Sequence, residues 1–320
     1  MMSKFNRKIA THRLGGDFQP PAWLLNLLRR WQPAGYPLEK NGAYGPRDLR
    51  LAVRNGYFNL YSGGQSIAKV DLTSRTLRAR SHVKYMSSDA PNVQKMGILE
   101  DTHSLDEIID RASRWQGVEK LFVEALVAAN ALVVDLEIAL PGSELTMPDE
   151  TIVKVAPRID LAALEPAAGG WRLVVWEVKM SKDDRVRSKN KPEVIAQLQK
   201  YTEWFARPGY TDAVLAAYRT AIRDMVALHD FAVAKGCVLN DLDPALRDIA
   251  VHPGKLLRVA PQVGLIIGMI RDANGAVCDD PKFKEHCLDH IQSADIPSHV
   301  VKDYEFGAKT EGLTLPLIAK

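Results

Sequence analysis

The chemistry this sequence offers centres on Asp160, Glu177 and Lys179. Side chains alternate along an extended run, so in WRLVVWEVK (171–179) Leu173, Val175, Glu177 and Lys179 project to one side. Glu177 and Lys179 are then about 6–7 Å apart along the strand. They close an apolar stretch, where ionised groups need partners. Asp160 lies in the preceding extended run, VKVAPRIDLAALE (153–165), and supplies a partner if the two runs are neighbours. Two carboxylates from adjacent strands form a hard-oxygen site suited to Mg²⁺ or Mn²⁺. The lysine would stabilise or orient a hydroxide nucleophile, or stabilise an anionic transition state.

A Glu-x-Lys tripeptide is weak by itself, since chance supplies about one in a chain of this composition. Here it occurs once, at the end of an apolar strand. Read blandly, Glu177 and Lys179 are a structural ion pair at a strand end; Asp160 and a second feature argue for catalysis. That feature is Gln197 and Tyr201 in the run PEVIAQLQKYTEWFA (192–206), one helical turn apart and so on one face. Alone they would be ordinary helix residues, the tyrosine a core residue.

Several elements must position these groups. A helix is expected over 112–130, strands over 131–140, 153–165 and 171–179, a helix over 192–206 and a helical stretch over 211–235. VGLIIGMI (263–270) reads as a buried strand, with a helix near 281–292 and an edge strand at 299–304. That order predicts an α/β arrangement. Asp135 and Glu137 alternate with apolar residues and are expected to face solvent. Upstream, PPAWLLNLLRRW (20–31) reads as a helix. Alternating runs broken at Asn55-Gly56, Gly63-Gly64 and Thr73-Ser74 predict an antiparallel meander over about 49–83, and 86–101 reads as a linker.

Taken together, RID (158–160), EVK (177–179) and QLQKY (197–201), in strand, strand and helix order, resemble the PD-(D/E)XK nuclease superfamily, RecB-like branch. The resemblance covers about 112–206 plus the strand near 263–270. Ile159 stands where the family has a proline, and three cysteines cannot build the four-cysteine iron–sulfur staple of some members. The resemblance implies a restriction-endonuclease-like core (α-β-β-β-α-β) with a helical insertion. It also implies that Asp160 and Glu177 ligate the metal with the Val178 carbonyl as a third donor, and that Lys179 assists the attacking water. Gln197 and Tyr201 would position the site and the nucleic-acid strand. The family often adds a carboxylate from the helix before the sheet. Of Glu119 and Glu124, Glu119 falls at the edge of the apolar face running through Trp115, Val118 and Phe122, and Glu124 points nearly opposite; Glu119 is therefore the expected inward acid.

Charge is divided unevenly. Residues 1–95 hold 16 Lys/Arg against 5 Asp/Glu, or +11, and the remainder holds 26 against 34, or −8, within a net charge of +3. A basic segment beside an acidic body fits a polyanion partner for the first and cations for the second, although a solvated basic surface gives the same composition. Arg78 and Arg80, with Arg50 and Arg54 in an earlier strand, would form a phosphate-facing sheet surface. Lys182, Arg185 and Arg187, in the basic loop SKDDRVRSKNK (181–191), would either grip phosphates or remain solvated.

No window holds the ~18 uncharged apolar residues of a membrane span, and MMSKFNRKIATHRLGG has no apolar core behind its basic residues. Three cysteines without a CxxC pair argue against a disulfide framework, so a cytoplasmic location is expected. Cys278, His286, Cys287 and His290 match no usual zinc spacing, and no GxxxxGK[ST], GxSxG or HExxH is present. The expected organisation is a basic β-rich domain at 1–100, a nuclease-like domain at 101–300 and a tail at 301–320. The expected function is Mg²⁺- or Mn²⁺-dependent hydrolysis of nucleic acid, DNA in the first instance, in restriction, repair or defence against mobile elements. Two alternatives are a catalytically silent nuclease-like module that binds nucleic acid or protein, and a chain whose functional module is the meander.

Overall fold

The computed structural model describes residues 5–37, 48–87, 95–141, 143–146, 152–155, 158–187, 192–270, 288–304 and 313–316. The chain is mixed α/β, with two five-stranded sheets and a separate two-stranded one. It divides into two compact units, one of residues 6–134 and 216–256, the other of 1–5, 135–215 and 257–320. The helix expected over 112–130 lies in the same unit as the meander. Among the described residues no helix is long and apolar enough to cross a membrane.

In the first unit, α1 (Ala22–Leu28) follows Pro20-Pro21 and buries Leu24, Leu27 and Leu28. Strands β1 (Arg50–Val53), β2 (Tyr57–Ser62), β3 (Gln65–Leu72) and β4 (Leu77–His82) pair consecutively and antiparallel, the meander expected from the turn signals. Gly63 and Gly64 both sit at positive φ, +52° and +74°, the type I′ geometry that matches strand twist. A short helix, α2 (Val83–Met86), leads to β5 (Met96–Ile98), which pairs with β4 inside the segment read as a linker. Helix α3 (Leu105–Ser113), capped by the Ser104 side chain, packs on β2 and β3. Helix α4 (Val118–Ala129) follows.

Two expectations fail in this unit. Arg50 and Arg54 face no phosphate: they are 2% and 7% exposed. Arg50 donates to the carbonyls of Gln32, Pro33 and Tyr36 and, at 2.5 Å, to Glu124 Oε1. Glu124 therefore points inward, because a buried guanidinium demands a carboxylate, while Trp115 and Val118 of the expected apolar face stay 45% and 47% exposed.

The second sheet runs, in order of pairing, through Ser298–Tyr304, Leu256–Ile270, Gly170–Met180, Arg158–Ala167 and Val133–Ala139. Its strand β6 (Val133–Ala139) precedes a separate antiparallel pair, β7 (Ser143–Thr146) with β8 (Ile152–Val155). The run expected as one strand over 153–165 is thereby split, and β9 (Arg158–Ala167) forms a hairpin with β10 (Gly170–Met180). Next come α5 (Asp184–Arg187), α6 (Glu193–Phe205), α7 (Tyr210–Ala234) and α8 (Pro244–Val251). Strand β11 (Leu256–Ile270), α9 (Asp289–Ser293) and β12 (Ser298–Tyr304) follow among the described residues, β12 lying parallel to β11. Of the residues weighed for zinc, only His290 is described; Cys278, His286 and Cys287 lie outside the described residues.

Asp135 does not face solvent as its alternation suggested: it is 2% exposed, and its Oδ1 accepts from the Leu136 amide. Glu137, at φ +53°, breaks the extended geometry on which the alternation argument depends, and its side chain is 8% exposed.

A candidate active site at the open end of a hairpin

Strand β10 owes its position to two glycines. Gly169, at φ +83°, closes the tight turn to β9, where Gly170 pairs with Ala167. On β11, Gly264 leaves room for the Trp176 indole: a Cβ there would lie 2.4 Å from two ring carbons. Trp176 occupies one face of β10, so its neighbour Glu177 takes the other.

The last paired residues of the hairpin are Trp176 and Leu161, and one step further Glu177 stands opposite Asp160. There the carboxylate of Asp160 replaces a ladder partner: its Oδ2 accepts from the Val178 amide at 2.9 Å. Lys179 Nζ donates to Glu177 Oε1 at 2.5 Å and to the Val178 carbonyl at 2.9 Å, and lies 3.9 Å from Asp160 Oδ2. All three charged residues are buried, Asp160 at 6% exposure and the other two at 2%. The ammonium thus stands among the three oxygens expected to hold a metal.

Helix α6 supplies the second layer. Pro192 opens it, and Val194, Ile195, Leu198 and Trp204 seat it in the core. The i,i+4 spacing then presents Gln197 and Tyr201 together. Gln197 Nε2 donates to Glu177 Oε1 at 2.7 Å and to the Tyr201 hydroxyl at 2.6 Å. Tyr201 donates to the Arg158 carbonyl at 2.6 Å, which ties α6 to the start of β9. Burial, then the charges of Glu177 and Asp160, hold the Tyr201 phenol well above its usual range. It stays protonated and serves as a hydrogen-bonding strut.

The remaining candidates are scattered. Glu119, in the first turn of α4, belongs to the other unit. Among the described residues no group of three or more His, Cys, Asp and Glu side chains is placed to hold a metal. Lys182 is exposed after β10, and Arg187 is half-buried at the end of α5. Arg185 is clamped on Asp183, its Nε 2.9 Å from Oδ1 and its Nη2 2.5 Å from Oδ2. Arg78 and Arg80 lie in the meander unit. There Arg80 makes two hydrogen bonds to Asp71, and Arg78 stands 3.8 Å from the same carboxylate.

Asp183 was missed from the sequence because its loop reads as basic. Burial works against its ionised form, but hydrogen bonds from Arg185, and then the charges of Arg185 and Lys179, hold its carboxyl below the usual range. The Asp183-Asp184 pair inside the basic run was the available signal. Comparison with family models, with curated proteins and with solved structures returns no match.

Proposed function

We propose that this protein is a Mg²⁺- or Mn²⁺-dependent nuclease whose active site is Asp160, Glu177 and Lys179, supported by Gln197 and Tyr201. The observation that carries the reading is the gathering of Asp160 Oδ2, Glu177 Oε1 and the Val178 carbonyl oxygen about a single cationic atom. Three hard oxygens that already surround an ammonium suit a hard divalent ion. Mg²⁺ commonly takes only one or two carboxylates and completes its shell with water and substrate phosphate. The surrounding fold would be a restriction-endonuclease-like core with a helical insertion, and the reading supposes a cytoplasmic protein.

Asp160, Glu177 and the Val178 carbonyl would hold the ion. When bound, such an ion supplies a lowered water pKa and compensation of charge on the phosphorane-like transition state. The chain supplies the rest. The Val178 amide fixes Asp160, and Gln197, itself braced by Tyr201, fixes Glu177, so neither carboxylate has to reorganise during the reaction. Lys179 would place a positive charge beside the scissile phosphate and orient the attacking water. The water oxygen bonds to phosphorus as the ester P–O bond breaks, and the departing oxygen recovers the proton that the water loses. Lys182, Arg185 and Arg187, just beyond β10, and Arg78 and Arg80 in the meander unit would contact backbone phosphates. Restriction, repair and defence against mobile elements all use such a reaction.

One observation favours a second reading, a catalytically silent module that binds nucleic acid or protein: an ammonium already stands 2.5 Å from Glu177 Oε1 and 3.9 Å from Asp160 Oδ2. One assay separates the two. Purified protein is incubated with linear and circular DNA in Mg²⁺ or Mn²⁺, with and without chelator. The nuclease reading expects chelator-sensitive cleavage, abolished by Asp160→Asn, Glu177→Gln and Lys179→Ala with DNA binding retained. Intact DNA throughout, or full cleavage by Lys179→Ala, overturns it.

A further inference from the structure

We propose that Lys179 is the resident cation of this site and sets its affinity for divalent metal: the ion enters only by displacing the ammonium. The inference rests on the nuclease reading for the identity of the ion, and on geometry for the competition. Nζ lies 2.5 Å from Glu177 Oε1 and 2.9 Å from the Val178 carbonyl, two of the three oxygens assigned to the metal, and 3.9 Å from the third. A Mg²⁺ ion bonded to those same oxygens at about 2.1 Å would stand almost on top of the ammonium. Two cations at such separation in a site this buried repel strongly, so they cannot share it.

Charge explains why the lysine takes this position. Asp160 and Glu177 are buried at the end of an apolar strand, and without a cation they would face each other as two unscreened negative charges. Lys179 spares the metal-free fold that repulsion and remains one charge short of neutralising the pair. A divalent ion would over-match the pair by the same rule only if the ammonium stayed, so the lysine must swing away as the ion arrives. Lys179 would thus act on metal affinity as a positioning residue, a role distinct from its part in the chemistry.

The test is calorimetric titration of Mn²⁺ into chelator-stripped full-length protein, without nucleic acid, for the wild type and for Lys179→Gln, Lys179→Met and Lys179→Arg. Gln and Met remove the competing charge and are expected to bind Mn²⁺ at least tenfold more tightly than the wild type. Arg keeps the charge and is expected to bind no more tightly. Should Lys179→Met fail to fold, Lys179→Gln, which still hydrogen-bonds to the carboxylates, decides the matter. Unchanged or weaker Mn²⁺ binding in the neutral variants overturns the inference, as does absence of binding in every variant. Cleavage by the wild type tests the nuclease reading separately. Tightened binding without wild-type cleavage sustains the competition and defeats the enzyme, and cleavage with unchanged affinity does the reverse.

Discussion

The two ends of the β9–β10 hairpin bury charge in opposite ways. Near the turn, Glu165 and Arg172 are direct cross-strand partners, and the guanidinium meets one carboxylate oxygen at 2.9 and 2.7 Å. One positive charge answers one negative charge. At the open end two carboxylates share one ammonium, and Gln197, on a helix outside the hairpin, holds Glu177. A balanced buried pair completes itself and has nothing left for a ligand. An unbalanced one, braced from a second element, invites a cation. Burial of charge alone therefore does not mark a site; the imbalance and the bracing do.

The contrast is sharpest in substitutions that remove one carboxylate. Glu177→Gln or Asp160→Asn is expected to lower metal-dependent cleavage by about a thousandfold or more while leaving the circular dichroism spectrum unchanged. Glu165→Gln should do the opposite. Urea denaturation should show a loss of about 3–5 kcal/mol, because Arg172 is left buried without its partner, and the protein that remains folded should cleave normally. Much of that loss should return when both partners are replaced by apolar residues, as in Glu165→Leu with Arg172→Met. If Glu165→Gln removed cleavage as thoroughly as Glu177→Gln, the distinction between the ends would be lost.

Tyr201→Phe comes next in size. It deletes the strut behind Gln197, and cleavage should fall by about tenfold, with a loss of about 1–3 kcal/mol in denaturation. The pH dependence has a definite sign. The phenol is raised in the folded state, so its contribution is complete below the ordinary tyrosine value of about 10 and is lost as pH rises through the folded value. The stability advantage of the wild type over Tyr201→Phe should hold constant up to about pH 10 and shrink as pH rises beyond it. A constant difference would mean that the hydroxyl is not held as described. Arg185→Ala is the smallest change. Its pair with Asp183 is solvent-exposed, so stability should move by under about 1 kcal/mol. The salt dependence of DNA binding should fall by about one unit of slope if the arginine reaches a phosphate.

What the sequence reveals and what it hides divide by range. Strand period places Glu177 and Lys179 on one side, and helical period places Gln197 beside Tyr201; both follow from the local backbone alone. The meander is equally legible, since Gly63-Gly64 and Asn55-Gly56 sit where turns demand them. Arg50 and Glu124 are 74 residues apart, and no pattern in either segment announces that they meet. Glu137 misleads for another reason: its own φ of +53° interrupts the extended chain from which alternation was inferred. Strand β5 escaped because three residues are too few to show a period.

Gly264 has a reach greater than its size. The hydrogen at that position is what lets an indole lie flat against β11, and the indole belongs to the residue just before Glu177. A single methyl group introduced there would have to push the ring aside, and the push falls on the strand that carries Glu177. Any turn of that strand would swing Glu177 away from the N–H groups of Lys179 and Gln197 that now hold it. The aim of the site is therefore adjusted from the far side of the sheet, by a residue that touches none of the reacting groups.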